Sequence, residues 1–104
     1  MIRDKRTGIQ MISEERKEQI EKHGWDLSHD QDYGHNELIK AALFCINQEY
    51  FEWPFEWDDE FRDKILGKNR VEQLTRAGAF IAAEIDRIKY EEQLDIDNDP
   101  KSYE

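Results

Sequence analysis

The apolar run from Asn36 to Tyr50 constrains the fold of this chain more than any other stretch. Between residues 38 and 46 a single lysine, Lys40, interrupts a series of apolar side chains. Ala and Leu favour helix, Asn36 is a favourable N-cap residue, and Glu37 complements the helix dipole. A helix that is apolar on nearly every side must be covered by other elements. Its length of about 22 Å is too short to span a bilayer. The run therefore predicts the central helix of a small domain without a membrane span.

Composition supports an all-α protein with one domain. The chain has 104 residues, of which 38% are hydrophobic and another 38% are charged, so the core must be concentrated in a few helices. Five glycines and two prolines are too few for the many turns of an all-β protein. We predict a bundle of three long helices and one short helix over residues 1–94, with a flexible lead-in at 1–9 and an acidic disordered tail at 95–104. Because so little apolar surface is available, we expect the bundle to dimerise.

Capping residues and breakers set the expected helix bounds. Beside the central helix, these are Ser13–His23 after a Ser13 cap, Asp59–Leu66 after Asp58, and Arg70–Gln93 after Asn69. The last helix carries the clearest amphipathic stripe in the chain, with apolar or small residues at steps of three and four. Its members are Val71, Leu74, Gly78, Ile81, Ile85 and Ile88. We expect Gly78 to let a neighbouring helix come close.

Charge and cysteine content narrow the function classes. The formal net charge of −10 argues against nonspecific binding to nucleic acid, which requires an excess of Lys and Arg. An acidic balance fits solubility, divalent cation binding, or imitation of a nucleic acid towards a basic partner. The single cysteine, Cys45, is expected to be a small core residue, which suits a reducing compartment. No charged and then apolar leader opens the sequence, so we expect a cytoplasmic protein.

We expect four carboxylates on three helices to face the interior of the bundle. They are Glu15 and Glu18 on the first helix, Glu37 on the central helix and Glu84 on the last helix. Oxygen-only ligands suit Mg²⁺ or Mn²⁺. The first helix has a second interpretation, a solvated charged helix in which Glu18 pairs with Lys22. For Glu84, either an arginine such as Arg16 or Arg87 or a cation must compensate the charge.

Two aromatic segments leave their roles open. The composition of residues 24–34 predicts a loop, which contains Trp25, His29 and Asp30. We expect these residues either to cap the bundle end or to line the mouth of a pocket. Trp53 precedes Pro54, which breaks the helix and favours an extended conformation before it. Trp53 and its aromatic neighbours either seal one end of the core, stack on a base, or form a dimer contact.

The run S-E-E-R-K-E from Ser13 to Glu18 resembles the E-E-x-x-E opening motif of the all-α nucleoside triphosphate pyrophosphohydrolases, the MazG-like and dimeric dUTPase-like group. A wider set of motifs between Glu15 and Arg87 resembles small phage and prophage proteins described as dATP/dGTP diphosphohydrolase-like. These motifs are E-R-x-x-Q-I from Glu15, Gly24-Trp25, His29-Asp30, Glu37-Leu38, Ala41-Ala42, Trp53-Pro54 and A-G-A-F-I-A-A-E-I-D-R from Ala77. In the pyrophosphohydrolases the second motif is E-x-x-D, whereas here Arg87 stands three residues after Glu84.

The resemblance implies a Mg²⁺- or Mn²⁺-dependent enzyme that cleaves (d)NTPs to monophosphate and pyrophosphate. The carboxylates that would hold the metal are Glu15, Glu18, Glu37 and Glu84, of which Glu15 or Glu37 would orient the attacking water. The residues that would contact the nucleotide are Trp25, His29, Asp30, Trp53 and Arg87.

Two other functions are compatible with the sequence. One is an acidic phage accessory protein that binds and inhibits a basic host factor, such as a defence nuclease. The other is a nucleotide-binding module without turnover. Carboxylates that converge in a pocket favour hydrolysis, whereas rows of carboxylates on a convex surface favour mimicry.

Overall fold

The fold is all-α, as predicted. A computed structural model describes residues 4–23, 36–54 and 57–98, and these ranges contain helices and no strand. The elements are α1 (Gly8–His23), α2 (Glu37–Asn47), a 3₁₀ turn (Tyr50–Glu52), α3 (Asp59–Leu66) and α4 (Arg70–Asn98). None of these helices is both long and apolar enough to cross a membrane.

Helix α2 lies at the centre of the core, as its apolar sequence predicts. It packs along α4, and α1 packs on α4 as well. Phe44 and Cys45 are fully buried, together with Phe80 from α4 and Ile65 from α3. The other buried apolar residues in the described ranges are Leu38, Ala41, Ala42, Trp53, Pro54, Ala77, Ala79 and Ala83.

The aromatic segment after α2 seals one end of this core. Trp53 has the extended backbone that Pro54 favours, with φ −69° and ψ 131°. Its ring centroid lies 5.1 Å from that of Phe44 and 5.5 Å from that of Trp57, in edge-to-face contacts. The ring of Trp57 in turn lies 5.7 Å from Phe80. The sequence leaves three roles open for Trp53, and the structure shows that this residue seals one end of the core.

Helix α1 starts earlier than predicted. Thr7 and Gln10 form a capping box: Thr7 Oγ1 accepts a hydrogen bond from the Gln10 N–H at 3.2 Å, and Gln10 Oε1 accepts one from the Thr7 N–H at 2.8 Å. The helix therefore begins at Gly8, and the predicted start at Ser13 is wrong. Residues 8 and 9, which belong to the predicted flexible lead-in, are helical.

Helix α2 is shorter than the apolar run suggests. Asn36 occupies the N-cap position, but its φ is 69° and its side chain makes no capping hydrogen bond. At the other end Gln48 has a φ of 61°, and its N–H bonds to the Phe44 carbonyl at 2.7 Å. This left-handed residue ends the helix at Asn47, before the expected end at Tyr50.

The caps of α3 and α4 are those that the sequence predicts. Asp58 Oδ1 accepts from the Glu60 N–H at 2.8 Å, and Asn69 Oδ1 accepts from the Glu72 N–H at 2.9 Å. Helix α4 then continues to Asn98, beyond the predicted end at Gln93. The first four residues of the predicted tail are therefore helical, because no glycine or proline follows Gln93 until Pro100. Residues 99–104 lie outside the described ranges.

The amphipathic stripe of α4 faces away from the core. An apolar stripe on a surface helix ordinarily packs inward, yet Val71, Leu74, Ile81, Ile85 and Ile88 are all between 40% and 58% exposed. The buried face of α4 consists instead of Gln73, Ala77, Ala79, Phe80, Ala83, Glu84 and Arg87. This face combines small residues with polar ones, so hydrophobic periodicity did not identify it.

Candidate functional site

A cleft of about 360 Å³ opens between α1 and the first turns of α4. It is lined by Arg6, Met11, Glu14, Glu15, Glu18, Lys68, Glu72, Thr75 and Arg76. The α1 residues in this set follow at spacings of three and four, which places them on one face of the helix. Lys68 and the α4 residues of the cleft lie near Asn69, whose side chain caps α4. The crossing of two helices therefore assembles this site.

Both signs of charge meet in the cleft. Glu15 Oε1 lies 3.5 Å from Arg76 Nη1, and the two side chains are 17% and 22% exposed. Lys68 Nζ lies 3.9 Å from a carboxylate oxygen of Glu72. Both distances exceed those of charge-assisted hydrogen bonds, so neither pair is closed by one.

Arg6 closes the outer edge of the cleft. Its guanidinium donates hydrogen bonds to Glu14 and to Asp4. Hydrogen bonds to Asp4 and Glu14 raise the pKa of Arg6, and the bonds from Arg6 lower the pKa of Asp4 to about 2. Since these groups are exposed, the pairs order the chain before α1 more than they stabilise the fold.

The structure brings two of the four predicted metal ligands into the cleft. Glu15 and Glu18 line it, whereas Glu37 and Glu84 do not. Among the residues that the structure describes, no three Asp, Glu, His or Cys side chains are arranged to hold a metal ion. A single site built from all four carboxylates stays a prediction.

Glu84 is paired with an arginine, which is one of the two alternatives given by the sequence. Its carboxylate accepts a hydrogen bond from Arg87 Nε, and Arg87 Nη1 reaches Glu91 at 2.7 Å. Burial alone would lower the pKa of Arg87, but its bonds to Glu84 and the charges of Glu84 and Glu91 raise it. The neighbouring Arg16 lies 3.7 Å from Asp86, so α1 and α4 share a second ion pair here.

Of the residues predicted to contact a nucleotide, the structure describes Trp53 and Arg87, and neither lines the cleft. Trp53 is buried in the aromatic end of the core, and Arg87 is 8% exposed beside Glu84. Trp25, His29 and Asp30 lie outside the described residues. Their predicted roles therefore stay predictions.

Sequence reasoning missed the cationic side of the cleft, namely Arg6, Lys68 and Arg76. Glu72 and Arg76 stand four residues apart at the start of α4, a spacing that places them on one helix face. That spacing was the available signal, but it does not reveal that α1 carboxylates lie opposite. The meeting of Glu15 with Arg76 depends on how the two helices cross.

Comparison with known proteins identifies no relative: no family model, no curated protein and no solved structure matches this chain.

Proposed function

We propose that the protein binds a metal-complexed (d)NTP in the α1–α4 cleft and hydrolyses it to monophosphate and pyrophosphate. The observation that supports this proposal is the presence of Glu15 and Glu18 in one cleft with Lys68 and Arg76. A triphosphate with its bound cation needs ligands of both signs, carboxylates for the metal and cations for the phosphate oxygens. An acidic surface without the basic residues would not meet this requirement.

The donor set fits Mg²⁺ or Mn²⁺. Magnesium is commonly bound by one or two carboxylates plus substrate phosphates and water, so a complete protein cage is not required. Glu15 and Glu18, three residues apart on α1, supply such a pair, with Glu14 and Glu72 in the same cleft. When bound, the ion polarises a phosphoryl oxygen and neutralises the charge that develops on the phosphates.

The protein residues then carry two tasks. Lys68 and Arg76 contact the β- and γ-phosphates and hold the α-phosphorus towards α1. A water oxygen attacks the α-phosphorus, the bond to the bridging oxygen breaks, and pyrophosphate leaves. Glu15 orients this water and accepts its proton, once Arg76 has turned from Glu15 to the phosphate.

The test combines thermal stability with pyrophosphate release. With Mg²⁺ present, dATP or dGTP should raise the melting temperature by several degrees, which corresponds to roughly 1–3 kcal/mol of ligand linkage. Glu18→Gln and Lys68→Gln should reduce both this shift and the release of pyrophosphate. Glu21→Gln is the matched control, because Glu21 is an exposed carboxylate on the same helix that pairs with Lys17 and does not line the cleft.

The outcomes separate the alternatives. A nucleotide-dependent shift without pyrophosphate release would reject hydrolysis and leave a nucleotide-binding module. A shift of equal size in Glu18→Gln, Lys68→Gln and Glu21→Gln would place the nucleotide elsewhere. No shift and no pyrophosphate with either nucleotide would remove the proposal entirely.

A second candidate is the acidic accessory protein that inhibits a basic host factor. The observation that favours it is a group of exposed carboxylates at the start of α3, Asp58, Asp59 and Glu60, with Asp63 one turn later. Inhibition of a host nuclease by the native chain, lost in Asp59→Asn with Glu60→Gln but kept in Glu18→Gln, would support this function over hydrolysis.

A further inference from the structure

We propose that the exposed stripe of α4 pairs with the same stripe of a second copy of this chain, in antiparallel orientation, to form a homodimer. We call this surface the α4 row, and it consists of Val71, Leu74, Gly78, Ile81, Ile85 and Ile88. The inference does not depend on the proposed function, because none of these residues lines the α1–α4 cleft.

The α4 row is exposed although it is the most apolar face of its helix. Its five large aliphatic residues are exposed by 40% to 58%, with Val71 and Ile85 the most open. Residues between Val71 and Ile88 extend over about 26 Å of helix. A continuous apolar band of this length is unusual on a monomer and marks a surface that another element covers.

The spacing of the row fits a helical partner. Its members follow at steps of three, four, three, four and three, which is the a/d pattern of two helices that pack along a shared seam. A second copy presents the same pattern, so one symmetric contact buries both rows and leaves neither open. This self-complementarity is the reason to choose a second copy of the chain over an unrelated partner.

Charge selects the antiparallel orientation. The positions that flank the seam on its core side include Arg70 at one end and Glu91 at the other. Within the chain, Arg70 donates a hydrogen bond to the Ile46 carbonyl at 2.8 Å, and Glu91 accepts one from Arg87 at 2.7 Å. In an antiparallel pair, Arg70 lies beside Glu91 of the partner subunit, and the symmetry repeats this contact. A parallel pair would instead bring Glu92 and Asp95, which occupy seam positions, next to their own copies. Opposite charges at such flanking positions determine orientation more than they add affinity.

The ends of the row also fix its register. The next two seam positions after Ile88 are Glu92 and Asp95, which are both acidic. In the proposed register Val71 faces the partner's Ile88, and Leu74 faces the partner's Ile85. A shift by one heptad would place Leu74 against the partner's Glu92, so only one register pairs all the apolar members.

Ile12 of α1 borders the middle of the row. Its side chain packs against Gly78, where it occupies the space that a Cβ atom would take. At Gly78, which has no side chain, the row is therefore covered by the apolar side chain of Ile12.

The first test is the mass in solution of the full chain. Sedimentation equilibrium should give twice the monomer mass of 12.6 kDa at micromolar concentration. Ile81→Glu and Ile85→Glu should each weaken the dimer by at least about tenfold, because each buries a charge in the seam. Leu43→Glu is the matched control: Leu43 is on α2 and is 39% exposed, against 40% for Ile81. Circular dichroism establishes that each variant is folded.

A second test reads the orientation. Single variants Leu74→Cys and Ile85→Cys are oxidised separately and as a mixture, while the native Cys45 is fully buried and out of reach. An antiparallel dimer should give a disulfide-linked product only in the mixture, because these two positions face each other. A parallel dimer should give a linked product from each variant alone.

Each alternative result overturns the proposal in a defined way. A linked product from either variant alone would reject the antiparallel orientation. A dimer that survives Ile81→Glu and Ile85→Glu would place the interface elsewhere. If the chain is a monomer and the thiol of Ile81→Cys reacts freely, the α4 row is open to a different partner. If the chain is a monomer and this thiol is protected, another segment of the same chain covers the α4 row.

Discussion

The carboxylate of Glu84 and the guanidinium of Arg87 form an ion pair within one helix, and the two side chains are only 7% and 10% exposed. This pair accounts for a carboxylate among the apolar positions of α4. Replacing Glu84 by Gln removes a carboxylate partner from the buried charge of Arg87. We expect Glu84→Gln to lower the free energy of unfolding by about 3 kcal/mol in urea titrations.

The control for this prediction is Glu91→Gln. Glu91 bonds to the same arginine, but its side chain is 51% exposed, so we expect a loss below about 1 kcal/mol. If Glu84→Gln instead leaves stability unchanged without metal and abolishes stabilisation by Mg²⁺, Glu84 is a metal ligand, as the resemblance implies.

Gly78→Ala should destabilise the fold although alanine favours helix by about 1 kcal/mol. A Cβ atom at Gly78 would lie 2.7 Å from Cγ1 of Ile12, an atom that a β-branched side chain on a helix cannot easily move. We expect a net loss of about 1–2 kcal/mol in thermal or urea unfolding. Adding Ile12→Ala should make the alanine at position 78 favourable. Gly67→Ala is the control, since its Cβ would meet nothing closer than 3.6 Å.

Gln19→Met should preserve or increase stability. Gln19 is 2% exposed, and neither its Nε2 nor its Oε1 has a hydrogen-bond partner among the described residues. A buried amide without partners costs about 1–3 kcal/mol, and methionine has a similar volume without that cost. A loss of more than about 1 kcal/mol in Gln19→Met would show that the amide makes a hydrogen bond in solution.

Cys45 should make the fold sensitive to alkaline pH. Burial raises the pKa of its thiol to about 12, which the charge of Arg76 partly opposes and that of Glu15 increases. The unfolded thiol ionises near pH 9 while the folded one stays neutral, so this contribution is complete below pH 9 and is lost as the pH rises towards 12. The stability advantage of the native chain over Cys45→Ala should shrink by about 1.4 kcal/mol between pH 7 and pH 10.

The comparison with Cys45→Ala cancels the titration of lysines and tyrosines, which both chains share. An advantage that stays constant with pH would mean that Cys45 ionises equally in the folded and unfolded chain. A thiol reagent at pH 8 gives an independent measurement: it should modify Cys45 only after denaturant is added.

Local signals in the sequence were sufficient for several elements. The caps at Asp58 and Asn69, the end of α3 before Gly67 and the extended Trp53 before Pro54 all depend on residues within four positions of one another. The core role of α2 also follows from sequence, because a helix with so few polar residues must be covered by other elements on most sides. The start of α1 was available in the same way from Thr7 and Gln10, whereas Ser13 is followed by Arg16, which has no acceptor for a capping box.

Only the tertiary structure decided which face of α4 is buried, which arginine meets Glu84, and that Glu15 shares a cleft with Arg76. Hydrophobic periodicity compares the faces of a single helix, and it predicts that the α4 row is the buried face of α4. Packing selected the face with Ala77 and Ala83 instead, because small residues let α1 and α2 approach closely and Arg87 compensates the charge of Glu84. These choices depend on distances between helices, and a sequence pattern within one helix does not contain those distances.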